Sequence, residues 1–120
     1  MIKKIKMKKI TVRFPERLKR EMQSSLILSG YGLHGKSKWL KEAINQFIHQ
    51  SDFVDYVENG MNINQAELTD VEAFYLDAKT LQTLRSAFIQ IRLKYPLFEG
   101  IQSAFIRAAV IHRIMFKQSK

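Results

Sequence analysis

Apolar and polar side chains alternate near the start of the chain, over the sequence KKITVRF. This period of two is typical of a β-strand with one buried face, and it predicts a strand over residues 9–14 that buries Ile10, Val12 and Phe14. Pro15 follows the alternation. It ends the strand and suits the start of a helix, because the missing N–H of proline costs nothing there.

Two amphipathic helices are predicted after this strand. The first begins after Pro15 and ends before Gly30 and Gly32, which are typical stop signals. The second covers about 37–50, where one apolar stripe faces polar residues. The apolar positions of the two helices are Leu18, Met22, Leu26 and Ile27, then Trp39, Leu40, Ala43, Ile44, Phe47 and Ile48. Residues 9–50 are therefore predicted to form strand, helix, helix.

The second part of the chain repeats this order. VEAFYL at 71–76 predicts a short strand, and Asp77 is a good cap for a helix that breaks at Tyr95-Pro96. A last helix is predicted over about 100–116. The apolar positions of these helices are Leu81, Leu84, Phe88, Ile89 and Ile91 or Leu93, then Ile101, Phe105, Ala108, Ala109, Ile111 or His112, and Met115.

A 20-residue spacer separates the two parts, over 51–70. SDFVDYVENG predicts a short helix that Ser51 or Asp52 caps and Asn59-Gly60 ends. MNINQAELTD predicts a loop.

The two parts align as an internal repeat. SKWLKEAINQFI at 37–48 lies over SAFIRAAVIHRI at 103–114 with an offset of 66, and ITVRF at 10–14 lies over EAFYL at 72–76 with an offset of 62. The difference of four residues is assigned to the connection between the helices, where insertions are cheap. Two alignments in the same order indicate a duplicated unit.

These motifs resemble the ribbon-helix-helix family, the MetJ/Arc/CopG group of bacterial DNA-binding proteins. The resemblance is carried by KITVRFPERL at 9–18 and SKWLKEAI at 37–44, with a diverged second copy in FYLD at 74–77 and SAFIRAA at 103–109. It implies a mostly α fold with a two-stranded antiparallel β-ribbon. Two fused copies, as in TraY-type conjugation proteins, imply an intramolecular pseudo-dimer with one shared core. The expected division is a basic arm (1–8), copy one (9–50), an acidic linker (51–70) and copy two (71–116).

A single strand has no partner to pair with, so strand 9–14 is expected to pair antiparallel with strand 71–76. Four helices would then cover one face of the ribbon, and the other would fit a DNA major groove. The exposed face would present Lys9, Thr11, Arg13, Val71, Ala73 and Tyr75. The predicted base contacts are Lys9, Thr11, Arg13, Ala73 and Tyr75. Because copy two offers mainly apolar contacts, copy one should dominate base recognition, and the DNA site need not be palindromic.

The resemblance also implies that backbone N–H groups at the start of the second helix hold a DNA phosphate. In copy one the matching residues are Gly35, Lys36, Ser37 and Lys38. Copy two has no lysine at the matching stretch, where Ser103 is the expected contact, helped by Gly100 and Lys94. The N-terminal arm adds phosphate contacts through Lys3, Lys4, Lys6 and Lys8.

The charge distribution agrees with a polyanionic partner. Twenty Lys and Arg against eleven Asp and Glu give the chain a formal charge of +9. Residues 1–50 carry +9, residues 51–72 carry −6 and residues 73–120 carry +6. Absence of cysteine fits the reducing cytoplasm, and no apolar run approaches the roughly 20 residues of a membrane span.

Enzymatic chemistry is not expected. His34, His49 and His112 are far apart in the sequence. No nucleophile elbow, P-loop or HExxH motif is present. The spacing of Asp52, Asp55 and Glu58 is more typical of a solvated helix face than of a metal site, so neither a metal nor another cofactor is predicted. Trp39, Phe47, Phe88, Phe105 and the methionines are expected in the core.

The favoured function is a transcription regulator that binds specific double-stranded DNA, with self-association on adjacent sites. One alternative is a relaxosome accessory protein at a plasmid transfer origin, where a relaxase replaces the transcription machinery as partner. Another is an antitoxin-like interaction module. The family's antitoxins usually add a toxin-binding tail, whereas only Lys117–Lys120 follow the last predicted helix. A membrane-surface role is least favoured, because the basic arm lacks a wide apolar face.

Overall fold

The computed structural model describes residues 7–60 and 65–118. The chain is mostly helical, with one two-stranded antiparallel sheet, and its layout is compatible with a ribbon-helix-helix arrangement. The elements are β1 (Met7–Phe14), α1 (Glu16–Leu28), α2 (Lys36–Ile48), α3 (Phe53–Gly60), β2 (Asp70–Asp77), α4 (Ala78–Lys94) and α5 (Ile101–Gln118). Single 3-10 turns lie at Leu33–Gly35 and Gln65–Glu67. We call β1, α1 and α2 the N-terminal half, and β2, α4 and α5 the C-terminal half.

The predicted pairing of the two strands is confirmed. β1 and β2 run antiparallel, with Met7 opposite Asp77 at one end and Phe14 opposite Asp70 at the other. Each strand is longer than predicted, because the ladder extends past both predicted ends of β2 and begins at Met7 in β1. Lys8 was assigned to the N-terminal arm, but it lies in β1, opposite Leu76.

One hydrophobic core receives side chains from both halves. The alternation in β1 buries Ile10, Val12 and Phe14, as predicted, and β2 contributes Phe74 and Leu76. The helices cover this face of the ribbon, and their largest fully buried side chains are Trp39, Phe47, Phe105, Met22, Leu26, Leu40, Ile44, Leu84 and Ile91. Burial of Trp39, Phe47 and Phe105 confirms their predicted place, while Phe88 packs against the core partly exposed.

The spacer contributes a fifth helix to the core. The predicted helix in SDFVDYVENG is present as α3, which buries Phe53 and Val57. The ring of Phe53 lies 5.9 Å from that of Phe47 and 6.1 Å from that of Phe105. Packing of α3 against α5 explains why α5 is buried without interruption from Ala104 to Val110.

The four extra residues of the C-terminal half are not in the connection between helices, as the sequence had indicated. α1 and α4 begin 62 residues apart, at Glu16 and Ala78, but α1 has 13 residues and α4 has 17. The connections themselves, 29–35 and 95–100, are similar in length. The insertion therefore lengthens α4 by about one turn, which extends the helix past its counterpart.

Three apolar positions predicted as periodic core residues are exposed instead, and so is Leu93, which was the alternative to the buried Ile91. Ile27, Ile89, Leu93 and Met115 are 62%, 61%, 80% and 62% exposed. The buried stripe of α4 runs through Thr80, Leu84, Ala87 and Ile91, so Ile89 and Leu93, each two residues from Ile91, point away from the core. Ile27 and Met115 lie near helix ends, where fewer neighbours remain to cover them.

A buried arginine joins α2 and α5. Arg113 is 7% exposed and donates to the backbone carbonyl of Trp39 at 2.6 Å. Its other terminal nitrogen lies 3.1 Å from both the Tyr31 hydroxyl and the Glu42 carboxylate. Burial opposes the ionisation of Glu42, but hydrogen bonds from Tyr31 and Arg113 outweigh it, and the pKa of Glu42 is lowered. The charge is thus paired and bonded, as a buried charge requires.

Candidate nucleic-acid interface

The outer face of the ribbon is open to solvent, opposite the helices. Lys9 lies across from Tyr75, Thr11 from Ala73, and Arg13 from Val71. Every one of these side chains is exposed except Ala73, which is half-buried. The structure therefore brings all five predicted base contacts, and Val71, together on one surface, which we call the ribbon face.

The ribbon face is divided by chemistry. Each of its three ladder pairs joins a polar residue of β1 to an apolar or aromatic residue of β2. Lys9, Thr11 and Arg13 supply the side-chain hydrogen-bond donors on the β1 side of this face, and the Tyr75 hydroxyl is the only polar group that β2 adds among these six residues. The face is thus polar along one strand and largely apolar along the other.

The register itself relates the two strands by an approximate two-fold axis. Residues 62 positions apart in the repeat, such as Thr11 and Ala73, are the same pair that lie opposite each other. Exchange of every residue for its counterpart converts the pair Arg13–Val71 into Tyr75–Lys9, which is also a pair in the ladder. The axis passes through Thr11 and Ala73.

The start of α2 is docked on the free edge of β2. The Ser37 hydroxyl accepts a hydrogen bond from the backbone N–H of Tyr75, at 2.9 Å. Gly35 precedes α2 close to Tyr31, whose Cβ would lie 2.9 Å from a side chain built at residue 35, so glycine permits this approach. Lys38 remains exposed beside this junction. Gly35, Ser37 and Lys38 thus lie beside the free edge of β2.

Lys36, also a predicted phosphate contact, is engaged within the protein. Its ammonium nitrogen lies 3.4 Å from Glu72 and 5.2 Å from the centre of the Phe74 ring. Lys19 of α1 lies 3.6 Å from Glu72 and 3.5 Å from Asp70. We call these four charged residues the ion cluster, because two lysines and two carboxylates balance one another.

Glu72 is the residue of this region that the sequence analysis missed. It is 8% exposed and lies on the inner face of β2, in phase with Phe74 and Leu76. A signal was present, because an acidic residue in phase with two buried apolar residues needs a cationic partner. The repeat places Ile10 at the same position in β1, so the ion cluster has no equivalent at the other end of the ribbon.

α5 contacts β1 as α2 contacts β2. Arg107 of α5 donates to the backbone carbonyl of Arg13 at 3.0 Å, and its repeat counterpart Lys41 contacts Asp77 at 3.1 Å. Burial lowers the pKa of Arg107. Ser103 is half-buried at the beginning of α5.

Other predicted contacts are placed differently. Lys94 forms an ion pair with Asp55 of α3, so its charge lies among the helices and not beside the ribbon face. Lys3, Lys4 and Lys6 lie outside the described residues. Lys8 is exposed on β1.

The histidines and the acidic residues of α3 form no common site. In the described part of the chain, no group of three His, Cys, Asp or Glu residues is arranged to hold a metal ion. His112 is buried, and its ring centre lies 5.5, 6.1 and 4.3 Å from the ring centres of Phe47, Tyr56 and Phe116. This burial lowers the pKa of His112. Over residues 7–60 and 65–118, no helix is both long and apolar enough to cross a membrane.

Comparison of the chain with protein-family models, with curated proteins and with solved structures gives no match.

Proposed function

We propose that the chain is a tandem ribbon-helix-helix protein, an intramolecular pseudo-dimer that binds specific double-stranded DNA through the ribbon face and regulates transcription in the cytoplasm. The observation that carries this proposal is the ribbon face itself. An antiparallel pair of strands exposes Lys9, Thr11 and Arg13 on the side opposite the core, in a geometry that fits a major groove.

The pseudo-dimer is supported by how the halves interlock. α2 of the N-terminal half contacts β2, and α5 of the C-terminal half contacts β1, so the second helix of each half meets the strand of the other. The ladder register obeys the two-fold relation that the repeat offset of 62 requires. Separate domains joined by the spacer would not share these contacts or one core.

Base recognition in this proposal is mainly the task of β1. The guanidinium of Arg13 has the donor geometry to bind guanine O6 and N7 together, and Thr11 offers a hydroxyl and a methyl group. Tyr75, Ala73 and Val71 of β2 supply apolar contacts, which suit thymine methyl groups. Lys9 lies opposite Tyr75 at the edge of the same surface. The site is expected to differ between its two halves.

Phosphate contacts are proposed beside the ribbon. Lys38 is exposed at the start of α2, where Gly35 and Ser37 bring the helix against β2. Free N–H groups at a helix start attract anions, and lysine adds charge. In the proposal, Lys8 of β1 and the lysines at positions 3, 4 and 6 add further positive charge for DNA. The formal charge of +9 favours association with DNA at a distance.

The test is selection of random duplex DNA by the purified protein at about 150 mM salt, where non-specific attraction is weakened. The selected duplex is then titrated with wild type, Arg13→Ala and Thr11→Ala. We expect Arg13→Ala to lose at least about tenfold in affinity and Thr11→Ala less, since a bidentate base contact is worth about 1–3 kcal/mol. The position of the site in its genome, at a promoter or a transfer origin, separates transcription control from a role in conjugation.

The matched control is Arg20→Ala, which removes one charge from an exposed site on α1 where the arginine pairs with Glu16 of the same helix. It should bind like wild type. Circular dichroism should remain native for all three variants. Wild-type affinity in both ribbon variants, or selection that yields no motif, would remove the ribbon face from the mechanism.

A further inference from the structure

The two ends of the ribbon are equivalent in backbone, but one is balanced in charge and the other is positive. Asp70, Glu72, Lys19 and Lys36 form the ion cluster at one end. The repeat counterparts of all four residues line one open cleft of about 300 Å³; they are Lys8, Ile10, Leu81 and Gln102. The cleft is lined by Lys8, Lys9, Ile10, Thr11, Leu81, Leu84, Arg85, Phe88 and Gln102. We call it the basic cleft.

The basic cleft holds cations without carboxylates. Lys8, Lys9 and Arg85 lie on its rim and are exposed, and none of its lining residues is acidic. Among the described residues, no ion pair joins any of the three to an Asp or Glu. Its floor is apolar, with Ile10 and Leu84 buried. Three cations therefore converge on a concave surface with nothing in the described chain to balance them.

We infer that the basic cleft binds a phosphate group. Arginine offers planar paired donors that match phosphate oxygens, and the two lysines supply point charges. Gln102 and Thr11 also line the cleft, and their side chains carry an amide and a hydroxyl that can act as neutral donors. The apolar floor keeps the charged groups at the mouth, where a phosphate on a larger molecule reaches them.

A backbone phosphate of duplex DNA is the favoured source, and this part of the inference rests on the proposed function. Lys9 and Thr11 belong both to the ribbon face and to the basic cleft, so DNA against the first lies beside the second. A free phosphate-bearing ligand is the other source of the same chemistry.

This assignment gives the C-terminal half a phosphate contact by a different route. Gln102 stands where the N-terminal half has Lys36, and Lys94 is bound to Asp55. Arg85 comes from the middle of α4, and its counterpart in α1 is Gln23, which is uncharged. Arg85 on α4 thus supplies the positive charge that α5 lacks at Gln102.

The experiment compares Arg85→Gln with Arg20→Gln, which makes the same charge change elsewhere. Arg20 lines a different surface, with Ile114 near the end of α5, about 18 Å along that helix from Gln102. Duplex affinity is measured from about 50 to 200 mM salt. Separately, inorganic phosphate is titrated into the free proteins and amide shifts of Thr11 and Gln102 are followed by NMR.

If the phosphate belongs to DNA, Arg85→Gln lowers the salt slope of duplex binding by about 0.9 and the affinity by about five- to tenfold, while Arg20→Gln changes neither. If wild type fails to bind duplex but phosphate shifts Thr11 and Gln102 in an Arg85-dependent way, the basic cleft takes a free phosphate ligand and the proposed function fails. If wild type binds duplex, Arg85→Gln binds equally well and phosphate shifts nothing, the inference is overturned and the proposed function stands. Failure of both assays rejects both.

Discussion

The ion cluster and the basic cleft occupy equivalent places at opposite ends of one ribbon, and they differ in what they leave available. In the ion cluster, Glu72 and Asp70 satisfy Lys19 and Lys36 within the protein. In the basic cleft, Ile10 replaces the buried acid and three cations face solvent. The comparison shows that strand pairing and register fix the path of the backbone and which positions of each strand face the core. They do not fix the charges beside the ribbon, which differ between the two equivalent places.

The second helices show the same divergence in the core. Position 47 of α2 holds a phenylalanine in an aromatic cluster, and its counterpart in α5, position 113, holds an arginine. We expect Arg113→Ala to lower the free energy of unfolding by about 3 kcal/mol, because it removes a buried cation bonded to Trp39, Tyr31 and Glu42. Urea denaturation followed by circular dichroism measures this. Arg20→Ala, an exposed control, should change stability by less than about 0.5 kcal/mol. Equal midpoints for the two variants would show that the buried bonds contribute nothing net.

The starts of α1 and α4 differ in their caps. Asp77 accepts a hydrogen bond from the Thr80 N–H at 2.8 Å, whereas its counterpart Pro15 makes no side-chain cap. We expect Asp77→Ala to lower the free energy of unfolding by about 1 kcal/mol, because it removes this cap. Thermal unfolding of both Asp77→Ala and Pro15→Ala tests whether the cap acts in one half only. If Asp77→Ala destabilises the protein no more than Pro15→Ala does, the claim that only α4 is stabilised by a side-chain cap is refuted.

The same cap predicts a pH dependence. Hydrogen bonds from Thr80, followed by the contact with Lys41, lower the pKa of Asp77 from 3.8 to about 2. A carboxyl with a lowered folded-state pKa stabilises the fold above its unfolded pKa, and this contribution is lost as pH falls from about 4 to 2. Asp77→Asn, which keeps a cap but cannot ionise, should remove this part of the acid dependence. An unchanged acid profile in that variant would assign the dependence to other carboxylates.

The smallest effect is expected from partial release of the ion cluster. Glu72→Gln keeps the shape of the side chain but removes the carboxylate that pairs with Lys36 and one of the two that pair with Lys19. Duplex affinity should rise about threefold, which is less than about 1 kcal/mol, with a steeper salt slope. Glu67→Gln, an exposed site with the same charge change, is the control. An equal rise in both variants would show that net charge alone is responsible.

Sequence reasoning predicted the elements that periodicity controls. The alternation of Ile10, Val12 and Phe14 was sufficient to predict β1, its buried face and, through the repeat, its partner strand. The helix of the spacer was also predicted correctly. Its packing on α5 was not, because nothing local in SDFVDYVENG indicates which surface Phe53 and Val57 cover.

The sites were less predictable than the elements because they depend on long-range charge pairing. Lys36 and Lys38 look alike in the sequence, yet only Lys36 reaches Glu72. Arg85 could not be singled out in the sequence, because it is one charge on an amphipathic helix. It belongs to a candidate site only because the fold brings it together with Lys8 and Gln102, which are distant in the sequence. The extra turn of α4 was misplaced because helix and loop insertions give the same offset in an alignment.

The most direct test of the account makes the two strands of the ribbon face alike. Val71→Lys, Ala73→Thr and Tyr75→Arg together copy Lys9, Thr11 and Arg13 onto their counterparts, all at outward positions of β2. Selection of random duplex DNA is then run on wild type and on this triple variant. We predict an asymmetric motif for wild type and a motif with two matching, inverted halves for the variant. The same motif from both proteins would contradict the claim that the ribbon face reads DNA.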